Sequence, residues 1–148
     1  VEPSPRMRIL ARSRNIQVVE GVAEDLPYRD DAFDFSLLVT TICFLDDARK
    51  GLREARRVVR PGGRVIVGFV DRESPMGRRY LEHQEESPFY RLATFYSTRE
   101  VRELMEEAGL RDFRFTQTIF GPLEEVREGE PVREGYGQGS FVVLSGVV

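Results

Sequence analysis

The chain has 148 residues, 41% hydrophobic and 32% charged, with 22 basic residues against 25 acidic ones and a formal net charge of −3. That is the make-up of one soluble globular domain with enough chain to bury a core. It excludes a disulfide scaffold, since Cys43 is the only cysteine, and it offers no nucleic-acid footprint, no bilayer-spanning apolar run and no metal-ligand cluster around the lone His83.

The start, Val1-Glu2-Pro3-Ser4, has neither the basic nor the apolar region of a signal peptide and no initiator Met, so a cytoplasmic chain that begins in mid-protein is expected. Ser4-Pro5 reads as a helix cap followed by proline at the first helical position. Met7, Leu10 and Ala11 then repeat at helical spacing, with Arg6, Arg8, Arg12 and Arg14 on the other side. Ile16 to Val19 is β-branched enough for a strand. Glu24 to Pro27 reads as a loop and Arg29-Asp30-Asp31 as a turn. Phe33 to Val39 is nearly all apolar after Asp34, the pattern of a buried parallel strand.

Ala48, Leu52, Ala55, Val58 and Val59 share one helical face, and Arg49, Arg53, Arg56, Arg57 and Arg60 cover the rest. Pro61-Gly62-Gly63 is expected to stop that helix, and Arg64 to Val70 to form a second buried strand. Residues 71–96 read as an insertion, helical around Arg78 to Glu86. Ser97-Thr98-Arg99-Glu100 is a capping box, and the helix it opens ends at Gly109. Phe113 to Phe120 alternates as a strand, 121–139 is a polar loop, and Ser140 to Val148 is a last strand. Strands alternating with helices imply an α/β fold with a mostly parallel sheet, and the final pair an antiparallel hairpin at one edge.

Several of these segments, in this order, resemble the class I S-adenosylmethionine-dependent methyltransferases, above all the small-molecule branch of ubiquinone and menaquinone biosynthesis. They are Val1-Glu2-Pro3-Ser4 with Met7, Gly21-Val22-Ala23-Glu24-Asp25-Leu26-Pro27, Phe33-Asp34-Phe35-Ser36 ending at Thr40-Thr41, Glu54 to Gly63, and Phe95 to Glu100 leading to Glu106-Glu107-Ala108-Gly109-Leu110. The resemblance covers nearly the whole chain and implies one partial methyltransferase domain over 1–148 with a Rossmann-like sheet. It implies that the family's first strand and glycine-rich loop lie upstream of Glu2. It also implies S-adenosylmethionine as cofactor and methyl transfer to an N, O or C nucleophile of a small molecule.

Carried onto these positions, the resemblance makes Glu2 the acceptor for the ribose hydroxyls, beside Pro3 and Ser4. Met7 and Leu26 are apolar faces for adenine or ordinary core. The Ala23 N–H is a donor to the ring, and Thr40 and Thr41 lie near the methyl group. Val22 stands where the family often has an Asp on the adenine amine; Glu24 either takes over that contact or faces water. In the insertion, expected to act as a lid, Asp71 is placed to orient an acceptor. Tyr80, Phe89, Tyr90 and Tyr96 either wall the acceptor site or pack the insertion down. Tyr136 lines the same mouth or anchors its loop. Cys43 reads as a small buried hydrophobe and His83 as part of a solvated helix. No catalytic acid or base is assigned. The remaining readings are a non-catalytic module of the same fold and a nucleotide-dependent oxidoreductase, which would also place an acidic residue at Glu2. The strand Phe33 to Val39, without a neighbour on one side, is expected to invite self-association.

Overall fold

The computed structural model describes residues 1–126 and 129–148. Helix α1 spans Pro5–Ser13; the Ser4 hydroxyl caps it by accepting from the Met7 N–H, and Pro5 opens it. Its inner side is not the one the spacing suggests. Met7, Ile9 and Leu10 are exposed, and the buried residue is Arg8. The segment 16–19 is not a strand either. A strand needs a ladder, and here a single backbone bond, from Glu2 N–H to the Val19 carbonyl at 3.0 Å, joins it to the chain start.

Strand β1, Phe33–Val39, runs through Thr40 and a short 3₁₀ turn, Ile42–Phe44, to helix α2, Ala48–Arg57. The Asp47 carboxylate caps α2 by accepting from Lys50 N–H. Ala48, Gly51, Leu52 and Ala55 form its buried face, four residues of a helical stripe. Strand β2, Val59–Val70, starts sooner than expected. Pro61-Gly62-Gly63 lies inside it as a bulge, where one residue of β1 between Phe33 and Phe35 faces four of β2 between Val59 and Arg64. The helix has already ended at Arg57. Gly62 takes the left-handed conformation, φ 80°. At Gly63 a Cβ would lie 2.5 Å from the Asp34 carbonyl oxygen, so only glycine lets the two strands approach there.

Helix α3, Pro75–Glu82, and a 3₁₀ turn, Gln84–Glu86, build the insertion. Helix α4, Thr98–Glu107, opens with the full capping box of Ser97 and Glu100. Strands β3, Arg111–Thr118, β4, Arg133–Glu134, and β5, Phe141–Val147, complete a five-stranded sheet of order β1-β2-β5-β3-β4. Of the expected loop 121–139, positions 127 and 128 lie outside the described residues; the rest holds a 3₁₀ turn, Leu123–Glu125, and β4.

The α/β, Rossmann-like class holds, but the sheet is not mostly parallel in its pairings. β1 and β2 pair in parallel, while β2 with β5, β5 with β3 and β3 with β4 are antiparallel. The final pair, β3 and β5, is antiparallel on one side of the sheet as expected; β5 also pairs with β2, and the two-residue β4 lies outside β3. Helices α2 and α4 touch each other and pack on one face, over Val65, Val67, Val142 and Leu144, all fully buried. Among the described residues no helix is long and apolar enough to cross a membrane.

Candidate functional site

The C-terminal end of β1 opens onto a cavity of about 740 Å³, which runs between the chain start, the loop 21–28 and α2. Crevices beyond the carboxyl ends of parallel strands are where open α/β sheets place ligands. Glu2, Pro3, Ala23, Glu24, Leu26, Thr40 and Thr41, widely separated in the chain, meet in its wall. The Glu2 carboxylate has one oxygen, Oε1, held by the Ser4 N–H at 2.8 Å. Oε2 has no protein partner among the described residues.

The loop opposite is braced from α2. Glu54 Oε2 accepts from Leu26 N–H at 2.8 Å, and the Arg57 guanidinium donates to the carbonyls of Leu26 and Tyr28 at 3.1 and 2.8 Å. Hydrogen bonding from Arg57 holds the Glu54 carboxyl below the usual carboxylate range, against the opposing effect of burial. Glu24 is committed: its Oε1 accepts from Asp46 N–H at 2.9 Å and Asp47 N–H at 3.4 Å, joining the loop to the approach of α2. Of the two roles open to Glu24, water-facing or ligand-facing, the first does not describe this oxygen, and only Oε2 remains for a ligand. The Ala23 N–H meets no protein acceptor among the described residues.

Thr40 carries φ 49°, a left-handed conformation that a β-branched side chain adopts under strain. Its hydroxyl and that of Thr41 both donate back to the Val39 carbonyl, at 2.8 and 3.0 Å. Behind Thr40 a small recess is lined by Cys43, Phe69, Tyr80, Tyr90, Phe95 and Tyr96. The rings stack in series: Phe44 on Tyr90 at 6.0 Å, Tyr90 on Tyr80 at 5.1 Å. Phe44 also lines the large cavity, so the stack joins the two spaces. Burial pushes up the Tyr90 and Tyr96 hydroxyls and the Cys43 thiol, leaving all three protonated at neutral pH.

Other expected residues sit elsewhere. Ser4 is the α1 cap, and Met7, 51% exposed, lies outside the cavity wall and outside the core. Asp71 is buried with both oxygens engaged, Oδ2 by the Thr98 hydroxyl at 2.6 Å and Oδ1 by the Glu73 N–H at 2.9 Å. It ties the end of β2 to the start of α4 and lines none of these spaces. Phe89 is 79% exposed and forms no wall. Tyr136 packs on Phe115 at 4.9 Å, away from the cavity. Sequence reading passed over Phe44, Glu54 and Arg57. Phe44 had a signal, an aromatic just past a strand end; the i, i+3 pair had none beyond ordinary helix charge. A second apolar cavity of about 510 Å³ lies between α3 and 120–124, with Tyr80 in its wall as well.

The methyltransferase-domain family profile matches residues 1–67. The chain is 51% identical, with a TM-score of 0.97, to the crystal structure of a SAM-dependent methyltransferase, possible histamine N-methyltransferase, from Thermotoga maritima; 99% of this chain covers 70% of that one. It is 41% identical to an uncharacterized protein of Methanocaldococcus jannaschii over 98% of this chain and 70% of the relative. It is 31% identical to the demethylmenaquinone methyltransferase of Bacillus subtilis over 74% of this chain and 48% of the relative.

Proposed function

This chain belongs to the class I S-adenosylmethionine-dependent methyltransferases, and from that premise we propose that it holds S-adenosylmethionine in the 740 Å³ cavity and serves methyl transfer to an N, O or C nucleophile of a small molecule. Family membership sets aside the oxidoreductase reading. A sulfonium cofactor brings a methyl group already activated by positive charge, so the protein's part is to bind, align and exclude water.

The observation that carries the reading is the Glu2 carboxylate. One oxygen is pinned by the Ser4 N–H and the other is left for the cavity, an acceptor suited to a vicinal diol. The unpartnered Ala23 N–H suits a ring nitrogen, and Leu26 and Phe44 offer apolar surface to a purine. The residues therefore fit the nucleoside half of the cofactor. Among the described residues no Lys or Arg lines the cavity to meet an amino-acid carboxylate. The recess beyond Thr40, about 30 Å³, has room for a water and not for an acceptor molecule, so the class of acceptor is left to the wider cavity. A single cysteine, which cannot form a disulfide within the chain, is consistent with action in the reducing cytoplasm.

The test is isothermal titration with S-adenosylhomocysteine, comparing the chain with Glu2→Ala. Hydrogen bonds to a charged acceptor contribute about 1.5–3 kcal/mol, so the variant should bind at least about tenfold more weakly. Equal affinity would remove the basis of the proposal. A non-catalytic module is the second reading, favoured by one feature: the Asp71 carboxylate is spent on the fold, and both threonine hydroxyls point back to Val39. Transfer of a labelled methyl group to a panel of small amines and phenols separates the two.

A further inference from the structure

Arg8 is the buried residue of α1, its side chain 10% exposed, in a helix that otherwise shows its apolar residues to solvent. Its Nη1 donates to two consecutive backbone carbonyls, Pro3 at 2.6 Å and Glu2 at 3.1 Å. Its Nη2 meets Glu20 Oε2 at 2.9 Å, and Glu20 itself is 75% exposed. A guanidinium is a rigid fork of donors, able to hold two acceptors in fixed relation while a third neutralises it. Removing a charge from water is costly, and an apolar side chain would fill the place without that cost. The two carbonyls are what an apolar side chain could not satisfy.

Those contacts bear directly on the residue in the cavity wall. The Glu2 backbone N–H is held by the Val19 carbonyl, its Oε1 by the Ser4 N–H, and its carbonyl by Arg8. Held at both ends of its backbone and at one carboxylate oxygen, the side chain keeps a narrow range of positions for Oε2. Glu20, next after Val19, ties the same guanidinium to the neighbouring segment.

We propose that Arg8 is a positioning residue for the Glu2 carboxylate: by gripping the carbonyls of Glu2 and Pro3 and pairing with Glu20, it fixes the angle at which Glu2 presents its free oxygen to a ribose diol. The inference rests on the reading of Glu2 as the diol acceptor. Arg8 does not line the cavity, so its loss should act on the diol contribution and leave the purine contribution in place.

The experiment measures, by isothermal titration on the full chain, the affinities for S-adenosylhomocysteine and for its 2′-deoxyribose analogue. Their ratio is the diol preference. In the wild type the preference is expected to be about tenfold or more. In Arg8→Met it should fall to within about threefold of unity, through weaker binding of the ribose ligand, with the deoxy analogue bound nearly as before. Arg8→Lys should fall between, since an ammonium lacks the fork. Melting curves establish that the variants are folded. A folded Arg8→Met with the wild-type preference overturns the proposal. Should Arg8→Met not fold, Arg8→Lys and Glu20→Gln decide, and wild-type preference in both overturns it. Failure of the underlying reading looks different: the wild type then shows no diol preference, or Glu2→Ala keeps it, and the inference about Arg8 falls with it.

Discussion

Arg57 serves four partners with one guanidinium: the Glu54 carboxylate at 2.6 and 2.7 Å, Asp30 Oδ1 at 2.7 Å, and the carbonyls of Leu26 and Tyr28. Together with Glu54 it closes the loop that walls the cavity onto α2. Helical spacing places Arg57 off the apolar stripe with the other arginines, and Glu54 enters the sequence analysis only as the start of the segment Glu54 to Gly63. Their partners sit some thirty positions earlier, and periodicity carries no record of such contacts. The Glu54 carboxyl is held low chiefly by the Arg57 hydrogen bond, with burial opposing and the Leu26 N–H assisting. The sign follows from linkage. A carboxyl with a lowered folded value contributes stability above its ordinary value of 4.5, and that contribution is lost as the pH falls through the folded value. Thermal melts of the wild type and Glu54→Gln should therefore differ by several degrees at neutral pH and converge only in acid, once the pH has fallen through the lowered folded value. A gap that stays constant across that range would show that the ionised clamp contributes nothing. Arg8, which spacing puts on the outer face of α1 with the other arginines, is turned inward by partners outside its own helix, the Glu2 and Pro3 carbonyls and Glu20.

Elements with a complete local signal were legible from sequence. The capping box at Ser97, the Asp34-to-Val39 apolar run and the α2 stripe all appear where expected, because each is decided by residues within a turn or a strand length. What failed was decided by neighbours. Ile16 to Val19 has strand residues but no ladder, and Pro61-Gly62-Gly63 has helix-stop residues that the parallel pairing with β1 draws into a strand bulge. The site divided in the same way. Cavity residues near strand ends were found, whereas Asp71, also at a strand end, was turned inward by Thr98 on α4. The insertion shows how close packing sets an element's place. Ser74 caps α3, accepting from Gly77 N–H at 3.0 Å and donating to the Asp71 carbonyl at 2.6 Å. Gly77 lies so near that carbonyl that a Cβ would collide with it, and would stand 2.7 Å from the Arg72 Cα. These are backbone atoms with nowhere to go. Gly77→Ala should cost about 1–3 kcal/mol and tilt α3, moving Tyr80 out of the aromatic stack. Near-ultraviolet circular dichroism reads the stack and a denaturant titration reads the stability. An alanine variant with both unchanged would mean that α3 is not anchored at this point.

At the level of the whole molecule the sheet is finished on one side and open on the other. β4 is a two-residue strand that blunts its rim, while β1 is a seven-residue rim strand with apolar side chains. Phe35 and Leu37 are exposed, Leu37 at 65%, on the face away from α2, and the buried Ser36 Oγ has no hydrogen-bond partner. Among the described residues no strand lies beside the outer N–H and C=O groups of β1. Long, flat, apolar rims pair with whatever extended chain they meet, and a charged residue, Lys above all, is the usual safeguard. β1 carries a charge only at Asp34, which is engaged by Arg60. Two copies of this chain are therefore expected to associate rim to rim, extending both sheets on the side where Phe35 and Leu37 also line the 740 Å³ cavity. Sedimentation velocity over a rising concentration series should show growth of dimers and larger species, and Leu37→Lys should return the protein to monomer without lowering its melting temperature, since the substituted side chain is already in water. Salt separates this from charge-driven contact: apolar pairing persists or strengthens as salt rises, whereas ion-pair contact weakens. A wild type that sediments as a monomer at every concentration would mean that the rim of β1 is protected by something other than a strand, and that its apolar side chains answer to the cavity beside them alone.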